Sequence, residues 1–251
     1  KENKQIARQY KELLRISYRS LSDDDKKQIR KAFDTAVDAH KDQRRKSGEA
    51  YIFHPIAVAK IVASEIGLDA TSIIAALLHD VVEDTQYTLK DIQEMFGETV
   101  ATIVDGLTKI SSLKKDKDVS LQAENFRKML LTLNDDIRVI IIKIADRLHN
   151  MQTMDAMRRD KQEKIASETL YIYAPLAHRI GLYNIKTELE DLSLEFLSRI
   201  VRCPAAALGS ASGGDIGAGG LVRRAAVGGL LATGECEYEG KGYQVLHGKN
   251  L

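Results

Sequence analysis

An acidic cluster with one histidine, at the end of an apolar segment, is the part of this sequence best suited to chemistry. His79 and Asp80 follow the aliphatic residues 73–78, and Glu83 and Asp84 come shortly after them within ALLHDVVEDT. Charged groups at the end of a buried helix need partners, because desolvation of an unpaired charge is costly. A metal ion satisfies several such groups at once. If the helix continues through residue 84, the pairs 79/83 and 80/84 are i, i+4 neighbours that face one cavity.

Two further residues complete a set that suits a metal ion. His54 precedes Pro55 at a predicted helix N-terminus, and Asp146 follows the largely apolar run 139–144, which we expect to be deeply buried. A buried carboxylate is rarely left unpaired. Two imidazoles and two carboxylates, without a thiolate, favour a harder divalent ion such as Mn²⁺ or Fe²⁺ over structural zinc. The opposing hypothesis is a purely structural helical module, in which the acidic cluster is a solvated helix end with His79 exposed.

The elements that must position these residues are predicted to be helices. Ser22, followed by three aspartates, gives an N-cap with an acidic first turn. Pro55 fits the first turn of a helix that ends near residue 66, with Gly67 as its C-cap, and Thr88 with Asp91 forms a capping-box pattern. Further helices are predicted at about residues 69–78, 98–110, 121–133, 137–154, 161–177 and 183–197. Residues 1–200 show no β-hairpin pattern, so the predicted fold class is all-α.

The composition of the chain changes near residue 200. Residues 1–200 contain five of the 17 glycines, and the last 51 residues contain the other 12. Residues 205–220 are almost entirely alanine, glycine and serine, a composition that buries too little apolar surface to offset chain entropy. We therefore predict one domain over residues 1–198 and a Gly/Ala-rich tail of unknown role over residues 199–251.

Charge, hydropathy and cysteine content exclude several classes of partner. With 37 basic and 36 acidic residues, the net charge of +1 gives no field that favours DNA or a membrane surface. No apolar run approaches the ~20 residues that a membrane-spanning helix needs. Cys203 and Cys236 both lie in the last fifth of the chain, so the remainder needs no disulfide and suits a reducing cytoplasm. We expect a cytoplasmic protein that binds neither DNA nor a membrane.

Six collinear blocks of the sequence carry a more specific resemblance. The order H…HD…D resembles that of the HD phosphohydrolases, and the blocks resemble the hydrolase domain of RelA/SpoT-type alarmone enzymes. They are RRKSGEAYIFHP, ALLHDVVEDT, DGLTKI, NFRKML, IKIADRLHNMQT and YAPLAHRIG, and the similarity runs from about residue 28 to residue 197. The resemblance implies an HD-domain helical bundle that removes the 3′-pyrophosphate from ppGpp and pppGpp and thereby acts in the stringent response.

The resemblance also implies a metal site and a catalytic pair. The matching metal ligands, which in this family hold manganese, are His54, His79, Asp80 and Asp146. Glu83 and Asp84 match the acidic pair that is proposed to activate or position the attacking water. Inactive hydrolase versions in the family have lost these HD and ED residues, whereas this chain keeps both pairs.

The remaining matches concern the guanine nucleotide that would be the partner of the protein. Arg45, Lys46 and Ser47 match a segment that lies against the guanine base, and Asn150 and Thr153 match residues near the ribose and the base. Two alternatives stay open, namely a catalytically silent, nucleotide-sensing regulatory HD domain and an HD phosphohydrolase that acts on another nucleotide. The resemblance also leaves room for a synthetase or regulatory domain in the native full-length protein, which the last 51 residues are too short to hold.

Two residues of the IKIADRLHNMQT block are expected to have structural roles. Arg147 follows the candidate ligand Asp146 directly, so its side chain should point elsewhere and form an ion pair. His149 is interpreted as a helix-surface or core histidine, because most histidines at such positions are satisfied by local contacts.

Overall fold

Regular structure is helical wherever the structure describes the chain. The structure is a computed structural model, and it describes residues 2–17, 21–112 and 136–202. Its α-helices, numbered here in chain order, are α1 (Glu2–Ser17), α2 (Asp23–Ala39), α3 (Phe53–Ile61), α4 (Ala70–Leu77), α5 (Val81–Asp84), α6 (Leu89–Phe96), α7 (Glu98–Ser112), α8 (Ile137–Gln152), α9 (Arg159–Glu168), α10 (Ala174–Arg179) and α11 (Tyr183–Arg202). Within these ranges the only β pairing is an isolated antiparallel bridge between Arg44 and Ala50. The all-α prediction is confirmed.

Local side-chain chemistry sets the predicted helix starts. The Ser22 hydroxyl accepts a hydrogen bond from the Asp25 backbone N–H at 3.1 Å, and the Asp25 carboxylate accepts one from the Ser22 N–H at 2.9 Å. Thr88 and Asp91 form the same reciprocal pair at the start of α6. Each capping box satisfies backbone donors that the first turn of a helix leaves free. Both predicted starts are therefore confirmed.

The helix that carries the acidic cluster is interrupted, contrary to the possibility of one helix through residue 84. Helix α4 ends at Leu77, and Leu78 tightens the end of the helix because its N–H donates to the carbonyls of both Ile74 and Ala75. Residues 78–80 then form a turn before the short helix α5. The prediction that residues 79 and 83 are i, i+4 neighbours within one helix is therefore wrong. Asp80 and Asp84 stay one turn apart, since the Asp84 N–H donates to the Asp80 carbonyl at 2.9 Å.

Two other predicted helices contain π-helical turns. The helix predicted to end near residue 66 consists of α3 followed by the π-helical turn Val62–Ile66, and Gly67 closes it in the left-handed conformation with φ 74°. The helix predicted at 161–177 is divided by the π-helical turn Thr169–Tyr173 between α9 and α10. Such turns insert an extra residue into the hydrogen-bond ladder, which an apolar pattern at helical spacing does not reveal.

Three packed helices, α3, α4 and α8, carry the predicted ligands or lead directly into them. Helices α3, α4 and α8 contact one another, α1 packs on α3, and α2 and α7 pack on α4. The run 139–145 of α8 is buried throughout, as the sequence predicts. Helix α7 approaches α8 closely at Gly106, where an added Cβ would lie 2.9 Å from a Val139 methyl group. The site is therefore built where buried helices pack together.

Some predictions fall outside the described residues. These are the helix at 121–133 with its NFRKML block, and residues 203–251 of the Gly/Ala-rich tail with both cysteines. Helix α11 runs to Arg202, past the predicted domain end at 198, and the domain boundary stays a prediction. In the described part of the chain, no helix combines the length and apolarity needed to cross a membrane.

Candidate active site

The fold brings the four predicted metal ligands together from three separate segments. His54 lies in the first turn of α3, His79 and Asp80 occupy the turn after α4, and Asp146 lies in the second half of α8. His54 Nε2 is 3.2 Å from Asp146 Oδ1, and His79 Nε2 is 2.9 Å from Asp80 Oδ2. The crossed distances are 3.7 Å from His54 Nε2 to Asp80 Oδ2 and 3.9 Å from His79 Nε2 to Asp146 Oδ1. One atom of each side chain thus faces a common centre.

The His79 ring has the orientation expected of a metal ligand. Its Nδ1 lies 2.8 Å from the Ala76 carbonyl oxygen, which can only accept, so Nδ1 carries the proton. When the ring is neutral, the lone pair is on Nε2, which is buried and has no partner with hydrogen-bond geometry, although Asp80 Oδ2 is near. Metal-bound histidines regularly donate their second N–H to a backbone carbonyl in this way. Ligand atoms of His54, His79 and Asp146 lie within 4.8 Å of one another, so the cluster can hold a divalent metal ion.

The two carboxylates of the cluster are anionic. Burial favours the neutral acid, but the charge of nearby Lys143 outweighs it and holds the pKa of Asp146 well below its usual value. Lys143 Nζ lies 2.8 Å from Asp146 Oδ2. Burial also acts against ionisation of Asp80, and the neighbouring His79 more than offsets it, so that the pKa of Asp80 is lowered as well. Two ionised carboxylates beside two imidazole nitrogens form a centre that attracts a cation.

Tyr51 connects this cluster to the acidic pair. Its hydroxyl donates to Asp80 Oδ2 at 2.6 Å and lies 3.4 Å from Asp84 Oδ2. Burial and the neighbouring charges of Asp80 and Glu83 raise the pKa of Asp84. Glu83 and Asp84 are both exposed to the cavity rather than sealed in the core. Both carboxylates are therefore placed where they can exchange protons with a bound molecule.

Arg45 holds the predicted substrate-binding residues together. Its Nη2 donates to Asn150 Oδ1 at 2.9 Å and to Thr153 Oγ1 at 3.1 Å. A turn at Gly48, with φ 89°, lets the Arg45 backbone pair with Glu49, and this turn places Lys46 and Ser47 at the exposed edge of the site. Asn150 in turn donates to Asp146 Oδ1 at 2.6 Å, so the two parts of the site are in direct contact.

A single cavity of about 410 Å³ receives almost all of these side chains. Every predicted site residue lines it except His79, which lies behind Asp80; the lining predicted residues are Arg45, Lys46, Ser47, His54, Asp80, Glu83, Asp84, Asp146, Asn150 and Thr153. The volume falls in the range of pockets that bind small molecules. Residues 32–183, the segment that forms this site, match the profile of the HD domain family.

The chain belongs to the HD domain family. Its HD domain is 53% identical over 177 residues to the bifunctional (p)ppGpp synthase/hydrolase SpoT of Escherichia coli (strain K12), a match that covers 70% of this chain and 25% of that protein. It is 55% identical over 169 residues to a guanosine-3′,5′-bis(diphosphate) 3′-pyrophosphohydrolase of Vibrio cholerae, covering 67% and 24% respectively. The resemblance to RelA/SpoT-type hydrolase domains is confirmed. The chain spans about a quarter of the length of these curated relatives.

The HD domain is also similar to a curated protein with a different name and to a solved structure. A GTP pyrophosphokinase of Streptomyces coelicolor is 52% identical over 171 residues, which is 68% of this chain and 20% of that protein. The solved structure of a metazoan ortholog of SpoT, described as hydrolysing ppGpp and acting in starvation responses, has a TM-score of 0.53 and 29% identity. That match covers 66% of this chain and 93% of that chain.

Three residues of this HD domain contact the predicted ligands but were absent from the predicted site. They are Tyr51, Lys143 and His149, whose Nδ1 lies 2.8 Å from His54 Nδ1. A lysine inside the apolar run 139–144, one turn before Asp146, was a signal that could have identified Lys143. No pattern in the sequence joins Tyr51 to Asp80 or His149 to His54, because those contacts form only in the folded chain.

The contacts of Arg147 and the uncharged state of His149 agree with the structural roles predicted for these two residues. Arg147 points away from the cavity, donates to Glu168 Oε2 at 3.1 Å and lies 4.2 Å from the centre of the Tyr173 ring, so the predicted ion pair is confirmed. Burial, the largest cause, together with the proximity of His54 and Arg45, lowers the pKa of His149 to about 3. His149 is thus an uncharged imidazole beside the cluster.

Proposed function

We propose that this chain is the hydrolase part of a RelA/SpoT-type enzyme and removes the 3′-pyrophosphate of ppGpp and pppGpp. Water adds to the phosphorus that is bonded to the ribose 3′ oxygen, the bond between these two atoms breaks, and GDP or GTP leaves with pyrophosphate as the other product. The similarity to proteins named guanosine-3′,5′-bis(diphosphate) 3′-pyrophosphohydrolase supports the choice of substrate.

The observation that best supports the proposal is the set of side chains that line one cavity. The acidic pair, the candidate nucleotide contacts and every candidate metal ligand except His79 line the same space of about 410 Å³. A purely structural module has no reason to bury two carboxylates beside two histidines, since each unpaired charge costs free energy. The same cavity also carries Arg44, Arg45 and Lys46 along its edge, which suits a polyanionic ligand.

We assign His54, His79, Asp80 and Asp146 as ligands of a Mn²⁺ ion. The set contains imidazole and carboxylate but no thiolate, which fits a harder divalent ion. When bound, Mn²⁺ supplies a Lewis acid that activates water and stabilises negative charge on the attacked phosphoryl group. Lys143 keeps Asp146 ionised, and Tyr51 fixes one oxygen of Asp80, so the chain maintains the ligands in the form that a cation requires.

The remaining residues act on the water and on the nucleotide. Glu83 and Asp84 face the cavity, where one carboxylate takes a proton from the attacking water and the other protonates the leaving 3′ oxygen. The raised pKa of Asp84 suits the proton-donating role, because it keeps part of that carboxyl group protonated at higher pH. Arg45 lines the cavity, where Asn150 and Thr153 hold its guanidinium group, and a guanidinium group can stack on a purine.

The relatives are longer than this chain, and we propose that the native protein carries a synthetase or regulatory domain in addition. The activity of the hydrolase part can be measured without it. The purified chain is incubated with ppGpp and Mn²⁺, with and without a chelator, and the nucleotides are separated.

GDP and pyrophosphate that form only in the absence of chelator would support the proposal. Bound Mn²⁺ without any turnover would favour the nucleotide-sensing alternative. Turnover of other phosphorylated nucleotides, with ppGpp left intact, would favour an HD phosphohydrolase of different specificity.

A further inference from the structure

His149 is the only histidine of the described residues whose ring nitrogen contacts both a candidate metal ligand and a candidate nucleotide contact. Its Nδ1 lies 2.8 Å from His54 Nδ1 and 3.3 Å from Arg45 Nη1. The His149 and His54 rings are 5.0 Å apart at an interplanar angle of 33°. Because a neutral imidazole has one donor and one acceptor nitrogen, these two contacts determine which nitrogen carries the proton.

The contact with Arg45 determines the tautomers of His149 and His54. A guanidinium group has five N–H donors and no acceptor, so Arg45 can only donate to His149 Nδ1. His149 Nδ1 is therefore the acceptor nitrogen, and its proton is on Nε2. His54 Nδ1, 2.8 Å from that acceptor, must then carry the proton of the His54 ring. The lone pair of His54 is left on Nε2, the atom that faces Asp80 and Asp146.

We propose that His149 is a positioning residue of the metal centre, which holds His54 in the tautomer and orientation that present its Nε2 lone pair to the cation. This inference rests on the proposed ligand set. It also gives the two histidine ligands the same arrangement, since the Ala76 carbonyl fixes His79 by the same means. Without the His149 acceptor, the buried His54 N–H would have no partner, and the ring would be free to rotate or to move its proton to Nε2.

The test compares two substitutions at one position. His149→Phe keeps a planar ring but removes the acceptor, whereas His149→Asn places an amide oxygen close to the position of Nδ1. His178→Phe is the control, because His178 is an exposed histidine whose ring contacts Tyr183 and lies away from the cavity. The dissociation constant for Mn²⁺ is measured by electron paramagnetic resonance of the free ion, without nucleotide, and the melting temperature of each metal-free chain is recorded.

We expect His149→Phe to weaken Mn²⁺ binding by roughly 10–100-fold, as for other residues that orient a metal-bound histidine. His149→Asn should restore most of the affinity, and His178→Phe should leave it unchanged. If His149→Phe fails to fold, His149→Leu takes its place in the comparison.

Two results would overturn the inference alone, namely parental affinity in the Phe variant or an equal loss in the Phe and Asn variants. Absence of Mn²⁺ binding by the parent chain would overturn both the proposed metal centre and this inference.

Discussion

The cavity has two unlike sides. On the metal side, formed by His54, His79, Asp80 and Asp146, the exposed fractions of His54 and His79 are 2% and that of Asp146 is 5%. On the nucleotide side, formed by Arg45, Lys46, Ser47, Asn150 and Thr153, no residue is buried, and Lys46 and Ser47 are exposed. The difference in burial indicates that the fold positions the side chains of the metal side before a ligand binds, and those of the nucleotide side less so.

The two sides differ because different forces hold them. The metal side lies where α3, α4 and α8 pack together, so its atoms are fixed before any ligand binds. The nucleotide side consists of long or polar side chains on a loop and at the end of a helix, which a ligand must order. Substitutions on the metal side should therefore remove activity altogether, whereas those on the nucleotide side should mainly change substrate affinity.

The largest effect is expected for Asp80→Asn. The substitution keeps the shape of the side chain but removes a negative charge from the buried cluster, so Mn²⁺ binding and hydrolysis should both fall to background. Metal content and turnover are measured on the same sample. Asp34→Asn is the control, because Asp34 is an exposed carboxylate paired with Arg30. Full activity of Asp80→Asn with normal metal content would exclude Asp80 as a ligand.

Glu83→Gln separates catalysis from metal binding within the same cavity. Glu83 lines the cavity, and among the described residues it forms no hydrogen bond or ion pair with the metal side. We expect kcat to fall by roughly 10²–10⁴-fold, as for a lost general acid or base, while Mn²⁺ affinity stays that of the parent. The exposed residue Glu65 provides the control substitution Glu65→Gln. An unchanged kcat would remove Glu83 from the mechanism.

Arg45→Ala examines the boundary between the two sides. Its guanidinium is held by Asn150 and Thr153 on the nucleotide side, and loss of a hydrogen bond from a charged group to a bound nucleotide costs about 1.5–3 kcal/mol. We expect KM for ppGpp to rise by roughly 10–100-fold, with a smaller fall in kcat. Steady-state kinetics measure both, with Arg179→Ala as the control at an exposed arginine. A kcat loss that exceeds the rise in KM would mean that Arg45 acts on the transition state, and the proposed division would fail.

Local patterns in the sequence predicted the parts of the fold that depend on local contacts. The capping boxes at Ser22 and Thr88 are confirmed because each is made within one helical turn. The burial of α8 follows from its aliphatic run. The block resemblance named ten of the residues that line the cavity, although their chemical roles stay predictions.

The features that the sequence did not predict depend on contacts between distant segments. His149 meets His54 across 95 positions, and Arg45 meets Asn150 across 105. The turn at residues 78–80 also has no glycine or proline to mark it. Tertiary packing determines such features, and the spacing of apolar residues along a helix does not predict them.

Gly106→Ala is expected to have the smallest effect on activity and to act through packing. Gly106 belongs to the DGLTKI block but lies away from the cavity, and an added Cβ would lie 2.9 Å from a Val139 methyl group on α8. Because either the Val139 side chain or one of the two helices must shift, we expect a loss of roughly 1–3 kcal/mol in the free energy of unfolding. Urea denaturation measures this loss, and Thr102→Ala, at an exposed position of α7, should change it little.

The same variant also tests why the metal side is rigid. Asp146 and Lys143 lie on α8 downstream of Val139, so a displaced helix should weaken Mn²⁺ binding slightly while KM for ppGpp changes less. A variant that loses stability but keeps full Mn²⁺ affinity would show that the His54, His79, Asp80 and Asp146 cluster is held by its own hydrogen bonds. In that case His149, Tyr51 and the Ala76 carbonyl would matter more for the metal centre than the packing of α7 behind it.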